Sequence, residues 1–155
     1  MDTQMRKLPI GIQTFEKIRK GGYVYVDKTA LVWQLVQTST PYFLSRPRRF
    51  GKSLLISTFE AYFNGQRELF DGLAIAELEQ EWIKYPVLHL DLNAKKYVMP
   101  EDLQAMLNYH LEKWEALYGT ERQGCSPEER FAFIIERAYE QTGQPVVVLV
   151  ESVCC

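Results

Sequence analysis

Three short apolar runs, at residues 41–44, 87–92 and 146–150, alternate with stretches whose apolar residues recur at helical spacing. A run that is apolar at nearly every position must bury both faces, which suits a strand inside a parallel sheet flanked by helices. The last run, Val146, Val147, Val148, Leu149 and Val150, is mostly β-branched and favours the pleated backbone. These features predict an α/β fold of three layers, α/β/α, around a short parallel sheet. A chain of 155 residues has room for one domain with a core. Residues 1–40 are expected to pack, as an N-terminal segment and first helix, on a body formed by residues 41–155.

Local signals place the helices. A helical turn is expected near residues 15–20, followed by an extended piece at 23–26. Asp27 reads as an N-cap, its carboxylate accepting from the open amides of a helix over about 28–37, with Leu31, Leu35 and Val36 on its apolar face. A second helix over about 52–64 carries Leu55, Phe59, Tyr62 and Phe63 and stops at Gly65. Residues 69–82 read as helical or irregular, broken at Gly72. Pro100 opens an amphipathic helix with Leu103, Leu107, Leu111, Trp114 and Tyr118 along one side. Ser126 and Glu129 form a capping box for a helix over 127–142, which Gly143 and Pro145 end.

Apolar residues make up 46% and charged residues 25%, a globular balance, and the net charge of −2 offers no global attraction to nucleic acid or membrane. Positive charge is local, at Arg46, Arg48, Arg49 and Lys52. The first nine residues lack the apolar run of a signal peptide, and no stretch approaches the roughly eighteen apolar residues of a membrane span. Cys125, Cys154 and Cys155 lack zinc or disulfide-framework spacing, so reduced thiols in a cytoplasm are expected. His89 and His110 read as structural and Trp114 as core. Asp91, at the carboxyl end of its strand, falls on the ligand-facing rim of an open sheet, where such a residue more often caps the next loop than meets a metal.

The chemistry concentrates at Gly51, Lys52 and Ser53, between an apolar run and an amphipathic helix. Open amides at a helix N-terminus attract phosphate, with the helix dipole in support. Gly51 allows the backbone close approach, Lys52 bridges terminal phosphates, and the Ser53 hydroxyl suits magnesium. The usual glycine five positions earlier is replaced by Arg46, so the phosphate-loop pattern is partial. The arginines suit either a clamp on phosphate or a charged surface loop.

Three stretches make a resemblance specific: Leu8-Pro9-Ile10-Gly11-Ile12-Gln13, then Tyr25-Val26-Asp27-Lys28-Thr29, then Ser45-Arg46-Pro47-Arg48-Arg49-Phe50-Gly51-Lys52-Ser53. With these the chain resembles the bacterial AAA-ATPase-like family from near residue 8 to residue 150. The resemblance implies a P-loop NTPase core that binds ATP with magnesium. The arginine-rich loop is the family's own phosphate loop, so Arg46, Pro47, Arg48, Arg49, Phe50, Gly51, Lys52, Ser53 and Leu54 are expected to bind nucleotide, with Lys52 in catalysis. Residues 25–28 are expected near the adenine, although Tyr25 also suits a core position. Family members commonly continue into a lid and a domain similar to PD-(D/E)XK nucleases, and this chain is expected to lack both.

The family pattern also places an Asp-Glu-Tyr-Asp-like run after the third strand, whereas this chain has Glu151, Ser152, Val153, Cys154 and Cys155. Aligned without a gap, Glu151 takes the metal position and Ser152 that of the water-polarising base. With a one-residue deletion, Glu151 becomes the base and the metal ligand is missing. Ser53 and Glu151 are thus the metal candidates, and Lys52 and Glu151 the catalytic ones. Losing one carboxylate spares binding and suppresses turnover, so ATP binding with little hydrolysis is expected. The tail also suggests a truncation after the third strand, with an unpaired edge and marginal stability. The alternatives are a nucleotide-independent module that binds nucleic acid or protein through the basic loop, and a non-functional remnant.

Overall fold

The computed structural model describes residues 6–47, 49–93, 97–120 and 124–152. The chain divides into two compact units, one reaching Ile83 and the other starting at Lys84.

The first unit is helical. It contains α1 (Phe15–Lys20), α2 (Thr29–Gln37), α3 (Lys52–Phe63), a 3-10 turn (Arg67–Phe70) and α4 (Ala74–Leu78). Phe15, Val32, Ala61, Tyr62, Phe70 and Ile75 lie at its centre, with Leu55, Phe59 and Trp82 packed against them. Phe15 stacks obliquely on Phe70 at 4.8 Å and meets Tyr25 edge-on at 5.2 Å, pairs that each contribute roughly 0.5–1.5 kcal/mol beyond area burial. Polar groups then fix the helices. Thr14 makes no capping bond for α1, and Ser57 of α3 supplies one, its Oγ accepting from the Phe15 amide at 2.9 Å. Arg19 donates to the carbonyls of Leu69 and Asp71 at 2.7 and 2.6 Å, tying α1 to the 3-10 turn.

Two expectations fail in this unit. The buried face of α2 is Thr29, Val32, Trp33 and Val36, with Leu31 exposed. Thr29 is fully buried, bonded to the start of α4 through the Ile75 amide, and Val32, Trp33 and Val36 share its side of the helix. Residues 41–44 are not a strand: they carry no ladder, and Tyr42, Phe43 and Leu44 are exposed, Phe43 by 85%. Apolar content makes a segment fit for a sheet, but a ladder needs a neighbour's amides and carbonyls, and among the described residues none pairs with this stretch.

The second unit holds β1 (Val87–Asp91), α5 (Pro100–Tyr118), α6 (Pro127–Thr142) and β2 (Val147–Glu151). The strands pair in parallel, from Val87 opposite Val147 to Asp91 opposite Glu151. The sheet among the described residues therefore has two strands where three were expected. Leu88 packs with Leu111 and Trp114 of α5 and Ile134 of α6, so within this unit both helices cover the face of Leu88 and Leu90. By alternation the other face carries His89, Asp91, Leu149 and Glu151. The expected helix layers on both sides of the sheet are not what this unit by itself displays.

The helix ends follow the local signals. Asp102 accepts from the amides of Val98 and Met99, each at 3.0 Å, at the start of α5. Ser126 and Glu129 exchange capping bonds at 3.3 and 3.0 Å, and Gly143 ends α6 in the left-handed region. On α5 the buried residues are Met106, His110, Leu111 and Trp114, while Leu103 is exposed. No helix among the described residues is long and apolar enough to cross a membrane.

Candidate functional site

Helix α3 differs from the other long helices in how it begins. Its N-cap, Gly51, sits at φ 77° and ψ 21°, a left-handed conformation that strains any residue with a Cβ. A Cβ built there meets nothing within 4 Å, so glycine is required by backbone conformation and not by crowding. Arg49, two residues earlier, is also left-handed, at φ 67°. The helix has no side-chain cap and no acidic residue in its first turn, whereas α5 and α6 both start with acidic residues. Lys52 and Ser53 are its first two residues, and the first helical bond runs from the Leu55 amide to the Gly51 carbonyl at 2.9 Å. The amides of Lys52, Ser53 and Leu54 thus open the helix at an end that is positive by dipole and by the lysine, with no acidic residue in that first turn. That end is chemically suited to an anion.

The expected nucleotide-binding residues divide by burial. Arg46, Pro47, Arg49, Phe50 and Gly51 are exposed, and Lys52, Ser53 and Leu54 are half-buried. Arg48 lies outside the described residues. The structure brings Gly51, Lys52, Ser53 and Leu54 together on a helix start, and among the described residues the segment at 41–47 joins no strand ladder.

The stretch from Tyr25 to Thr29 does structural work. Asp27 Oδ1 accepts from the Thr29 amide at 2.9 Å and hydroxyl at 2.6 Å, and its Oδ2 accepts from the Ala74 amide at 2.7 Å. Thr29 Oγ1 in turn accepts from the Ile75 amide at 3.1 Å. These bonds pin the start of α2 to the start of α4. Burial pushes the Asp27 carboxyl up, but the bonds from Thr29 and Ala74 outweigh it and leave the pKa below the ordinary value. The expected N-cap is corrected by one position: the helix starts at Thr29 with Lys28 as its N-cap, and Asp27 bonds to the helix start from just outside it. Tyr25 packs against the first core, and burial raises its phenol pKa, partly offset by the Thr58 hydroxyl. That environment matches the core role for Tyr25.

At the carboxyl end of the sheet, Asp91 and Glu151 are register partners. Asp91 Oδ1 accepts from the Asn93 amide at 2.8 Å, so it caps the next loop. Glu151 is 9% exposed, and its Oε2 lies 3.6 Å from His89 Nε2. His110 Nε2 lies 3.3 Å from the Asp91 carbonyl. Alternation alone puts His89 and Asp91 on one face, but the pairing of His89 with Glu151 depends on the register of two distant strands. Ser152 is exposed, and Cys154 and Cys155 lie outside the described residues.

Among the described residues no group of three or more His, Cys, Asp or Glu side chains can hold a metal. A magnesium ion accompanying a nucleotide takes most of its ligands from phosphate and water. The Ser53 hydroxyl, in the first turn of α3, is a donor of the right kind for that modest share.

A left-handed glycine, a helix start without a side-chain cap and a lysine–serine pair thus stand together in a chain of the α/β class. Residues 9–152 match the family described as Predicted AAA-ATPase, and the chain belongs to this AAA-ATPase-like family. Over 150 residues it is 41% identical to a protein of Azotobacter chroococcum mcd 1, named as an uncharacterized protein in the vnfD 5' region. That alignment covers 94% of this chain and 28% of the relative, so the chain spans under a third of that protein's length. No solved structure gives a significant match.

Proposed function

We propose that the chain binds ATP with magnesium, cradling the phosphates on the amides that open α3. The observation that carries this is the left-handed Gly51 N-cap followed by Lys52 and Ser53 in a first turn without a carboxylate. Membership of the AAA-ATPase-like family supports adenine as the base. In this reading Lys52 bridges terminal phosphates, Ser53 offers its hydroxyl to the metal, and Arg46, Arg48 and Arg49 bear on phosphate oxygens, with Pro47, Phe50 and Leu54 framing the loop. Of the acidic pair that the family pattern places after its strand, this chain has Glu151 followed by Ser152, which supplies no carboxylate. Hydrolysis is accordingly slow, because in-line attack needs both the metal and a positioned water.

Calorimetric titration with Mg-ATP, run beside a phosphate-release assay, tests this. Saturable binding in the unaltered chain, weakened at least tenfold by Lys52→Ala and accompanied by little released phosphate, is the expected outcome. Equal binding by the Lys52→Ala variant would overturn it.

One observation favours a second reading. Arg46, Arg49, Tyr42, Phe43 and Phe50 are all exposed, and cations interleaved with aromatic faces suit single-stranded nucleic acid. Salt-sensitive oligonucleotide binding that survives Lys52→Ala, with no ATP binding, would favour it.

A further inference from the structure

The first turns of α3 contain a run of hydrogen bonds that ends at the cradle. Thr58 Oγ1 donates to the Leu54 carbonyl at 2.8 Å, and Ser57 Oγ donates to the same carbonyl at 2.9 Å. That carbonyl shares a peptide group with the Leu55 amide, which donates to the Gly51 carbonyl at 2.9 Å. The Gly51 carbonyl shares its own peptide group with the Lys52 amide, the first N–H of the helix. Two hydroxyls therefore polarise one peptide group, which polarises a second, whose N–H belongs to the phosphate cradle.

We propose that Thr58 and Ser57 are positioning residues for phosphate binding, acting on the Lys52 amide through the Leu54 and Gly51 carbonyls. The inference rests on the nucleotide reading above and names residues outside the phosphate-loop motif that tune it. Hydrogen bonds in series strengthen one another by about 10–30% per bond, and more polarised N–H groups hold an anion more tightly. The same bonds restrain the two peptide planes, so the Lys52 amide keeps its direction before ligand arrives. Hydroxyls that return to a carbonyl three or four residues back are common in helices and are neutral or slightly unfavourable there. Here two converge on one carbonyl, and Thr58, only 1% exposed, has little access to water as an alternative partner. Ser57 is held further by the Phe15 amide at 2.9 Å, which carries the arrangement from α1 to the head of α3.

The deciding variants are Thr58→Val, which keeps the shape and removes the hydroxyl, and Thr58→Ser, which restores it. Two readouts are taken on the full chain: the Mg-ATP dissociation constant, and the proton shift of the Lys52 amide without ligand. The expected result for Thr58→Val is an affinity about three- to tenfold weaker, with an upfield shift at Lys52 and none at Ile134 or Ala138 of α6. Thr58→Ser is expected to return both readouts toward the unaltered values. If Thr58→Val does not fold, Ser57→Ala is read in the same way. Mg-ATP affinity and Lys52 shift both unchanged would overturn the proposal, as would a loss that Thr58→Ser fails to restore. An unaltered chain that binds no Mg-ATP sinks the nucleotide reading, and this inference with it.

Discussion

Arg130 donates from Nε and Nη2 to the two oxygens of Glu115, each at 2.8 Å, and from Nη1 to Asn108 at 3.0 Å. This fork joins α6 to α5 with both side chains mostly out of water. The Arg130 guanidinium holds the Glu115 carboxyl below the usual range, against burial, which would raise it. A carboxyl depressed in the folded state stabilises the fold above its unfolded pKa of about 4.3, and that stabilisation is lost as pH falls through the folded value. Glu115→Gln is therefore expected to cost about 1–3 kcal/mol in urea unfolding at pH 7. Its deficit should shrink on acidification below about pH 4, and an equal deficit at pH 7 and pH 3 would contradict the pairing. Residues of this kind were only partly legible in the sequence. Gly51, Lys52 and Ser53 announced themselves by type and order. The Glu115–Arg130 fork and the His89–Glu151 approach join residues far apart in the chain, and no local pattern encodes them.

Helices were the most readable elements, because their signals lie within a turn of their ends. The capping box at Ser126, the glycine stops at Gly65 and Gly143, and the apolar residues of α3 all fell where spacing put them. Faces were harder: Leu31 and Leu103 lie outward because neighbouring elements, not spacing alone, choose which part of an apolar stripe is buried. The run at residues 41–44 has strand composition without strand structure, since pairing is a property of two segments and composition belongs to one. Asp27 shows the reverse case, a helix cap that also reaches another element. Asp27→Ala removes acceptors at the starts of both α2 and α4, and about 1–2 kcal/mol is expected to be lost. Amide exchange should speed up at Thr29, Ala74 and Ile75 together. Faster exchange at Thr29 alone would confine Asp27 to an ordinary cap.

At the scale of the whole molecule, two compact units carry different features: the first the glycine-led start of α3, the second a parallel strand pair ending in Asp91 and Glu151. The α/β class and the parallel sense of the strands were legible from two β-rich apolar runs and the long helical crossover between them. The number of strands was not, because the run at residues 41–44 has no partner among the described residues. The chain represents 28% of its Azotobacter relative, so substrates and partners of such longer proteins are not transferred to it. What is claimed for this chain is an anion cradle at the head of one helix, occupied by the phosphates of ATP. Amide chemical-shift mapping during an Mg-ATP titration tests that most directly. The largest shifts are predicted at Gly51, Lys52, Ser53 and Leu54, saturating together and absent with adenosine. Shifts that bypass these four amides, or that adenosine reproduces in full, would contradict it.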